Sequence, residues 1–160
     1  MKPLKFDRYT ENLIEIAQAY VGLAAQYPEL TNTDSLDWKQ SFVSWANEFE
    51  KLHPDPTQWE HDDYYESIEM FAAQKILECG NIELSSFYFT FGSWERYPYQ
   101  NAYLIVYAKD THEAVAKYRK KHPDIRNNIV NCAAWYSEQG MKECKQRGTW
   151  YETGPAEIIW

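Results

Sequence analysis

Cysteine is scarce: Cys79, Cys132 and Cys144 are the only three, and no two form a CxxC pair. An odd count at wide spacings excludes a disulfide-stapled scaffold, so reduced thiols in a cytosolic protein are expected. The four histidines add no pair at ligand spacing, so neither a metal site nor a cofactor is expected. Long apolar runs are lacking too. The longest, Ala102 to Ala108, is far short of the roughly 20 residues a membrane helix needs, and no membrane contact is expected. The first residues, Met1 to Asp7, have no apolar core and no small-residue cleavage site, so no signal peptide is expected. Positive charge is in deficit: 16 Lys and Arg stand against 24 Asp and Glu, a net charge of −8. That disfavours a broadly basic protein binding nucleic acid directly. Repeats and low-complexity tracts are absent.

What is abundant is aromatic: 13 Tyr, 7 Trp and 7 Phe make 17 % of the chain. Such a chain can bury enough apolar surface to offset its ordering entropy, which excludes disorder. At 160 residues it forms one ordinary domain or two small ones.

The first half reads as helices. Leu13, Ile16, Ala17, Tyr20, Ala24 and Tyr27 recur at helical period between Asp7 and Tyr27, and Pro28 ends the run. Trp38, Phe42, Trp45, Phe49 and Leu52 form an aromatic seam at spacings of 4 and 3. Asp34 or Ser35 can cap it, and His53-Pro54-Asp55-Pro56 stops it. A third helix is expected from Glu60 to Glu78, with Tyr65, Ile68, Ala72 and Ile76 inward and Gly80 as its C-terminal cap.

After Gly80 the period changes to two. Phe87, Phe89 and Phe91 alternate with Tyr88 and Thr90, as in a strand. A loop follows to Tyr99, and a second strand runs from Ala102 to Ala108. Asp110 and Glu113 suit the start of a helix over Thr111 to Lys121. Ile129 to Tyr136 reads as a third strand, Glu138 to Gln146 as a short helix, and Glu157 to Trp160 as a last strand. The expected fold class is α+β: a bundle of about three helices, residues 1–80, before a small ββαβαβ module, residues 81–160. The boundary falls near Cys79 to Ile82.

The charge divides at the same place. Residues 1–80 carry 6 basic and 15 acidic side chains, and residues 81–160 carry 10 and 9. Asp55, Glu60, Asp62, Asp63, Glu66 and Glu69 form a run without Lys or Arg. Such a run is either a solvated face that keeps the protein soluble or a surface made to meet a basic partner. Lys117, Arg119, Lys120 and Lys121 gather at a helix C-terminus, where the helix dipole favours cations.

No catalytic motif is complete. His61 and Asp62 are adjacent, so on a helix they diverge by about 100 degrees. Gly92-Ser93 has neither the Gly-Lys-Ser/Thr of a phosphate loop nor the surroundings of a hydrolase elbow. Cys132 sits in an apolar segment beside Asn131, with no base to activate it. An enzyme is not expected. The loop Phe91 to Tyr99 sets Trp94, Tyr97 and Tyr99 beside Arg96. These residue types suit an interface anchor or a base-stacking site, or they fold back as core.

Phe87 to Ser93, Tyr97-Pro98-Tyr99-Gln100, Ala108 through Glu113-Ala114 to Tyr118, His122-Pro123-Asp124 and Asn131-Cys132-Ala133 carry a resemblance. Residues 85–160 resemble small proteins carried by phages and mobile elements of Gram-positive bacteria, Clostridia especially. Asn101-Ala102 stands where that pattern has glycine. The resemblance brings no catalytic residue. It implies the cytoplasm of a host bacterium and an anti-defence role of the kind that CRISPR inhibitors play against the nucleic-acid site of a Cas nuclease. The leading expectation is therefore a non-enzymatic inhibitor or interaction protein binding a basic nucleic-acid enzyme such as Cas9. The acidic run would make the charged contact, with Trp94, Arg96 and Tyr97 as anchors. The alternative is a module that binds or sequesters a nucleotide. A homodimer is permitted by the aromatic content.

Overall fold

The computed structural model describes residues 8–32, 37–54 and 61–160, the side chains of residues 61–63 excepted. The protein is α+β, and it divides into two compact units, Met1–Ile82 and Glu83–Trp160.

The first unit holds α1 (Arg8–Gln26), a 3-10 helix (Pro28–Asn32), α2 (Trp38–Leu52) and α3 (His61–Cys79). Helix α1 packs against both α2 and α3. Its buried residues are Asn12, Ile16 and Leu23, followed by Tyr27 beyond its end. The inward stripe is thus rotated from the one read on apolar residues alone, because it includes a polar side chain. Asn12 is accepted into the core because its Oδ1 takes a hydrogen bond from the Tyr64 hydroxyl at 2.7 Å. That hydroxyl in turn receives one from Arg8 Nε at 2.9 Å.

The aromatic seam of α2 buries Trp45 and Phe49 and lays Trp38 and Phe42 on Tyr20, at 4.7 and 5.4 Å between ring centroids. Leu52, the seam's last residue, is exposed. The N-cap is Asp37, whose side chain accepts from Gln40 N; Asp34 and Ser35 lie outside the described residues.

Helix α3 ends in a Schellman motif. Ile82 N–H bonds Leu77 O, and Asn81 N–H bonds Glu78 O. Asn81, not Gly80, takes the left-handed conformation, with φ of 52°. Gly80 is needed for a different reason: a Cβ there would lie 2.3 Å from Leu30 Cδ2, inside the core.

The second unit holds β1 (Ser85–Thr90), β2 (Tyr103–Ala108), α4 (Thr111–Lys121), β3 (Ala134–Ser137), α5 (Glu138–Gln146) and β4 (Ile158–Ile159). The sheet order is β3-β1-β2-β4, antiparallel except for the β2–β4 pair. One face carries Phe87, Phe89, Leu104, Val106, Ala108 and Ile159, and α4 covers it with Ala114 and Tyr118. Tyr118 stacks on Phe89 at 4.5 Å and 6°. On the other face Trp150 meets Tyr88, Tyr103 and Tyr136. Asp110 caps α4, its carboxylate accepting from Glu113 N at 2.8 Å.

The third strand is shorter than the apolar run from Ile129 suggests. Residues 126–132 turn instead of pairing: Arg126 bridges Ile129, and Asn128 takes a φ of 61°. The chain rejoins the ladder only where Ala133 N–H bonds Thr90 O. Asn101, which stands where the resembled pattern has glycine, itself adopts positive φ, at 49°. Asparagine tolerates that region better than other non-glycine residues, so the turn back to Gly92 O is kept.

Candidate binding sites

The sequence singled out nine residues, and the structure distributes them between the two units. On the first, Asp55 and Glu60 lie outside the described residues, as do the side chains of Asp62 and Asp63. Glu66 and Glu69 are exposed on α3.

A second acidic pair lies on α1, which packs against α3. Glu11 and Glu15 are one helical turn apart. Burial first, and then the Glu11 charge, raise the Glu15 carboxyl above its ordinary value. The Tyr65 hydroxyl of α3 donates to Glu11 Oε2 at 3.3 Å, and its pKa rises through burial and the two glutamates. In both groups burial is the larger cause, and the negative charge on α1 adds to it. The sequence reading missed Glu11 and Glu15 because they are not part of the contiguous acidic run.

On the second unit the loop residues partly fold back. Tyr97 and Tyr99 pack against the core, 6.0 and 5.8 Å from the Phe91 ring. The Asn131 amide Nδ2 donates to the Arg96 backbone carbonyl at 3.3 Å, while the Arg96 side chain is exposed. Trp94 meets Tyr97 edge to face at 5.0 Å and carries the Arg126 guanidinium 4.8 Å above its ring centroid. These residues line an open pocket of about 200 Å³ together with Ile125, Ile129, Val130, Asn131 and Cys132. Arg126 and Ile129 were not legible as site residues, because their partner Trp94 lies on a loop more than 30 residues earlier.

The remaining clusters read as structural. Burial pushes the Cys132 thiol up to about 12, which keeps it protonated at neutral pH and removes it as a nucleophile. Glu157 gathers His122 Nε2 at 2.7 Å, the Tyr99 hydroxyl at 3.2 Å and Lys121 Nζ at 3.5 Å. This ties the end of α4 to the approach of β4. Of the cations at the end of α4, Lys117 pairs with Glu113, Arg119 with Asp124 and Lys121 with Glu157. Cations engaged in this way have less to offer a phosphate backbone. All three cysteines are free. Among the described residues no group of three or more His, Cys, Asp or Glu could hold a metal ion, and no helix is long and apolar enough to cross a membrane.

Compared with known families, curated proteins and solved structures, the chain matches none.

Proposed function

We propose that this is a non-enzymatic interaction protein whose helical unit binds a basic nucleic-acid enzyme in a bacterial host. The observation that carries the reading is the set of carboxylates on neighbouring helices: Glu11 and Glu15 one turn apart on α1, and Glu66 and Glu69 exposed on α3. The unit's excess of 15 acidic over 6 basic side chains supports it. An acidic surface of this kind offers carboxylates to the Lys and Arg that otherwise hold phosphate. It competes with nucleic acid, speeds encounter, and loses affinity as salt screens the charges. The mobile-element resemblance makes a type II CRISPR nuclease the first candidate, since such an enzyme holds nucleic acid in a positive channel.

The test is charge reversal, Asp62→Lys, Asp63→Lys and Glu66→Lys together, with affinity for the candidate nuclease measured. The reading expects binding to fall at least about tenfold and to become less salt-dependent. Unchanged affinity with unchanged salt dependence would sink it.

A further inference from the structure

The pocket of the second unit has no part in the acidic contact, and its composition is specific. Trp94 and Tyr97 supply π-faces, and Ile125, Ile129 and Val130 supply apolar surface. Ile125 and Ile129 are left exposed, at 47 % and 55 %. Large aliphatic side chains in solvent beside an aromatic wall mark a surface suited to covering an apolar ring. Arg126 is exposed and holds its charge over Trp94.

Asn131 is the deciding residue. It is only 8 % exposed, and it lines the pocket. Its Nδ2 donates to the Arg96 carbonyl, which fixes the orientation of the amide, since a flip would set two acceptor oxygens face to face. The remaining oxygen, Oδ1, is buried with no hydrogen-bond partner among the described residues. A buried acceptor left unpaired is costly, and a ligand that brings an N–H recovers that cost.

Each feature constrains the ligand. The aromatic wall calls for a planar ring, because stacking needs only a π-face. The unpaired oxygen calls for an N–H donor on that ring. Arg126 calls for an anion next to it. The volume, about 200 Å³, is below the ~300–1,000 Å³ typical of whole-ligand pockets, so it takes one ring and leaves the rest of the ligand outside. Cys132 lines the wall as a neutral thiol and so does not repel an anion.

We propose that this pocket binds the base of a nucleoside monophosphate. The base stacks on Trp94 with the perpendicular Tyr97 ring at its edge, donates an N–H to Asn131 Oδ1, and its phosphate meets Arg126. Free nucleotides and the terminal nucleotide of a single strand share this chemistry. The site is independent of the acidic contact, which belongs to the other unit, so either can fail without the other.

The test is a titration of the full-length ¹⁵N-labelled protein with the four nucleoside monophosphates, the matching nucleosides and a short single-stranded oligonucleotide. The expected result is saturable shifts at the Trp94 indole N–H and the Asn131 side-chain amide. The monophosphate is expected to bind about tenfold tighter than its nucleoside, as an Arg–phosphate contact supports. Arg126→Ala is expected to remove that difference, so that nucleoside and monophosphate bind the variant alike, and Trp94→Ala weakens both ligands. An oligonucleotide binding about tenfold tighter than the monophosphate assigns the site to a strand end; equal or weaker binding assigns it to free nucleotide. The proposal is overturned if no ligand shifts either resonance at about 5 mM, a level that reports even millimolar binding. It is also overturned if nucleoside and monophosphate bind the wild type equally.

Discussion

Tyr118 links the sheet core to the pocket, and one hydroxyl carries the link. Its ring stacks on Phe89, and its O–H donates to the Asn131 backbone carbonyl at 2.5 Å. Tyr118→Phe removes the oxygen and keeps the ring, so burial and stacking are preserved. The Asn131 carbonyl then loses its donor in a residue only 8 % exposed. Removing one partner of a buried hydrogen bond costs about 1–3 kcal/mol, and losing the hydroxyl's own desolvation returns part of that. The expected net loss is about 1–2 kcal/mol. For a unit of the size of Glu83–Trp160 that lowers Tm by roughly 4–16 °C. Differential scanning calorimetry with near-UV circular dichroism follows the transition of the second unit. Burial raises the Tyr118 pKa far above its ordinary value of 10.0. The hydroxyl therefore stays protonated, and the loss is the same at pH 6 and pH 9. A variant within about 0.5 kcal/mol of wild type, the range of an inconsequential surface change, would refute the hydrogen-bond argument.

Two further outcomes follow from the first unit. Gly80→Ala places a methyl 2.3 Å from the fully buried Leu30. Overpacking of about 1–3 kcal/mol outweighs the roughly 0.5–1 kcal/mol gained by replacing glycine. Urea denaturation is expected to show a lower midpoint, and a raised midpoint would mean that Leu30 moves aside freely. Glu15→Gln relieves a like-charge pair one turn apart on α1, stabilising by about 0.2–0.5 kcal/mol at pH 7 and low salt. Glu15 has a raised pKa in the fold, so its favourable contribution is present below the ordinary value of 4.5 and is lost as pH rises through the folded value. The variant's advantage therefore disappears as pH falls below about 4.5, and it shrinks in salt. An advantage that persists at pH 3 would assign it to packing instead of charge.

The α+β class was legible because periodicity is a local property. Trp38, Phe42, Trp45 and Phe49 announce a helix face by spacing alone, and Phe87, Phe89 and Phe91 announce a strand. Asp110 was legible as a cap because its partner, Glu113 N, is three residues away. What was not legible depended on distant partners. Asn12 is buried because Tyr64 reaches it, and no periodicity of α1 contains that information. Ile129 and Val130 have strand composition, yet the turn at Asn128 sends them to the pocket instead. The candidate sites divide in the same way. The acidic excess could be counted from the sequence. The pocket needed the approach of Arg126 to Trp94 and the unpaired oxygen of Asn131, which only the folded chain reveals.

The most direct measurement is the affinity of the wild-type protein for a guide-free type II CRISPR nuclease, whose positive channel is empty, at low and at near-physiological salt. The acidic-contact account predicts binding that weakens steeply as salt rises and is displaced by guide RNA. No binding at low salt, or an affinity indifferent both to salt and to guide RNA, would contradict it.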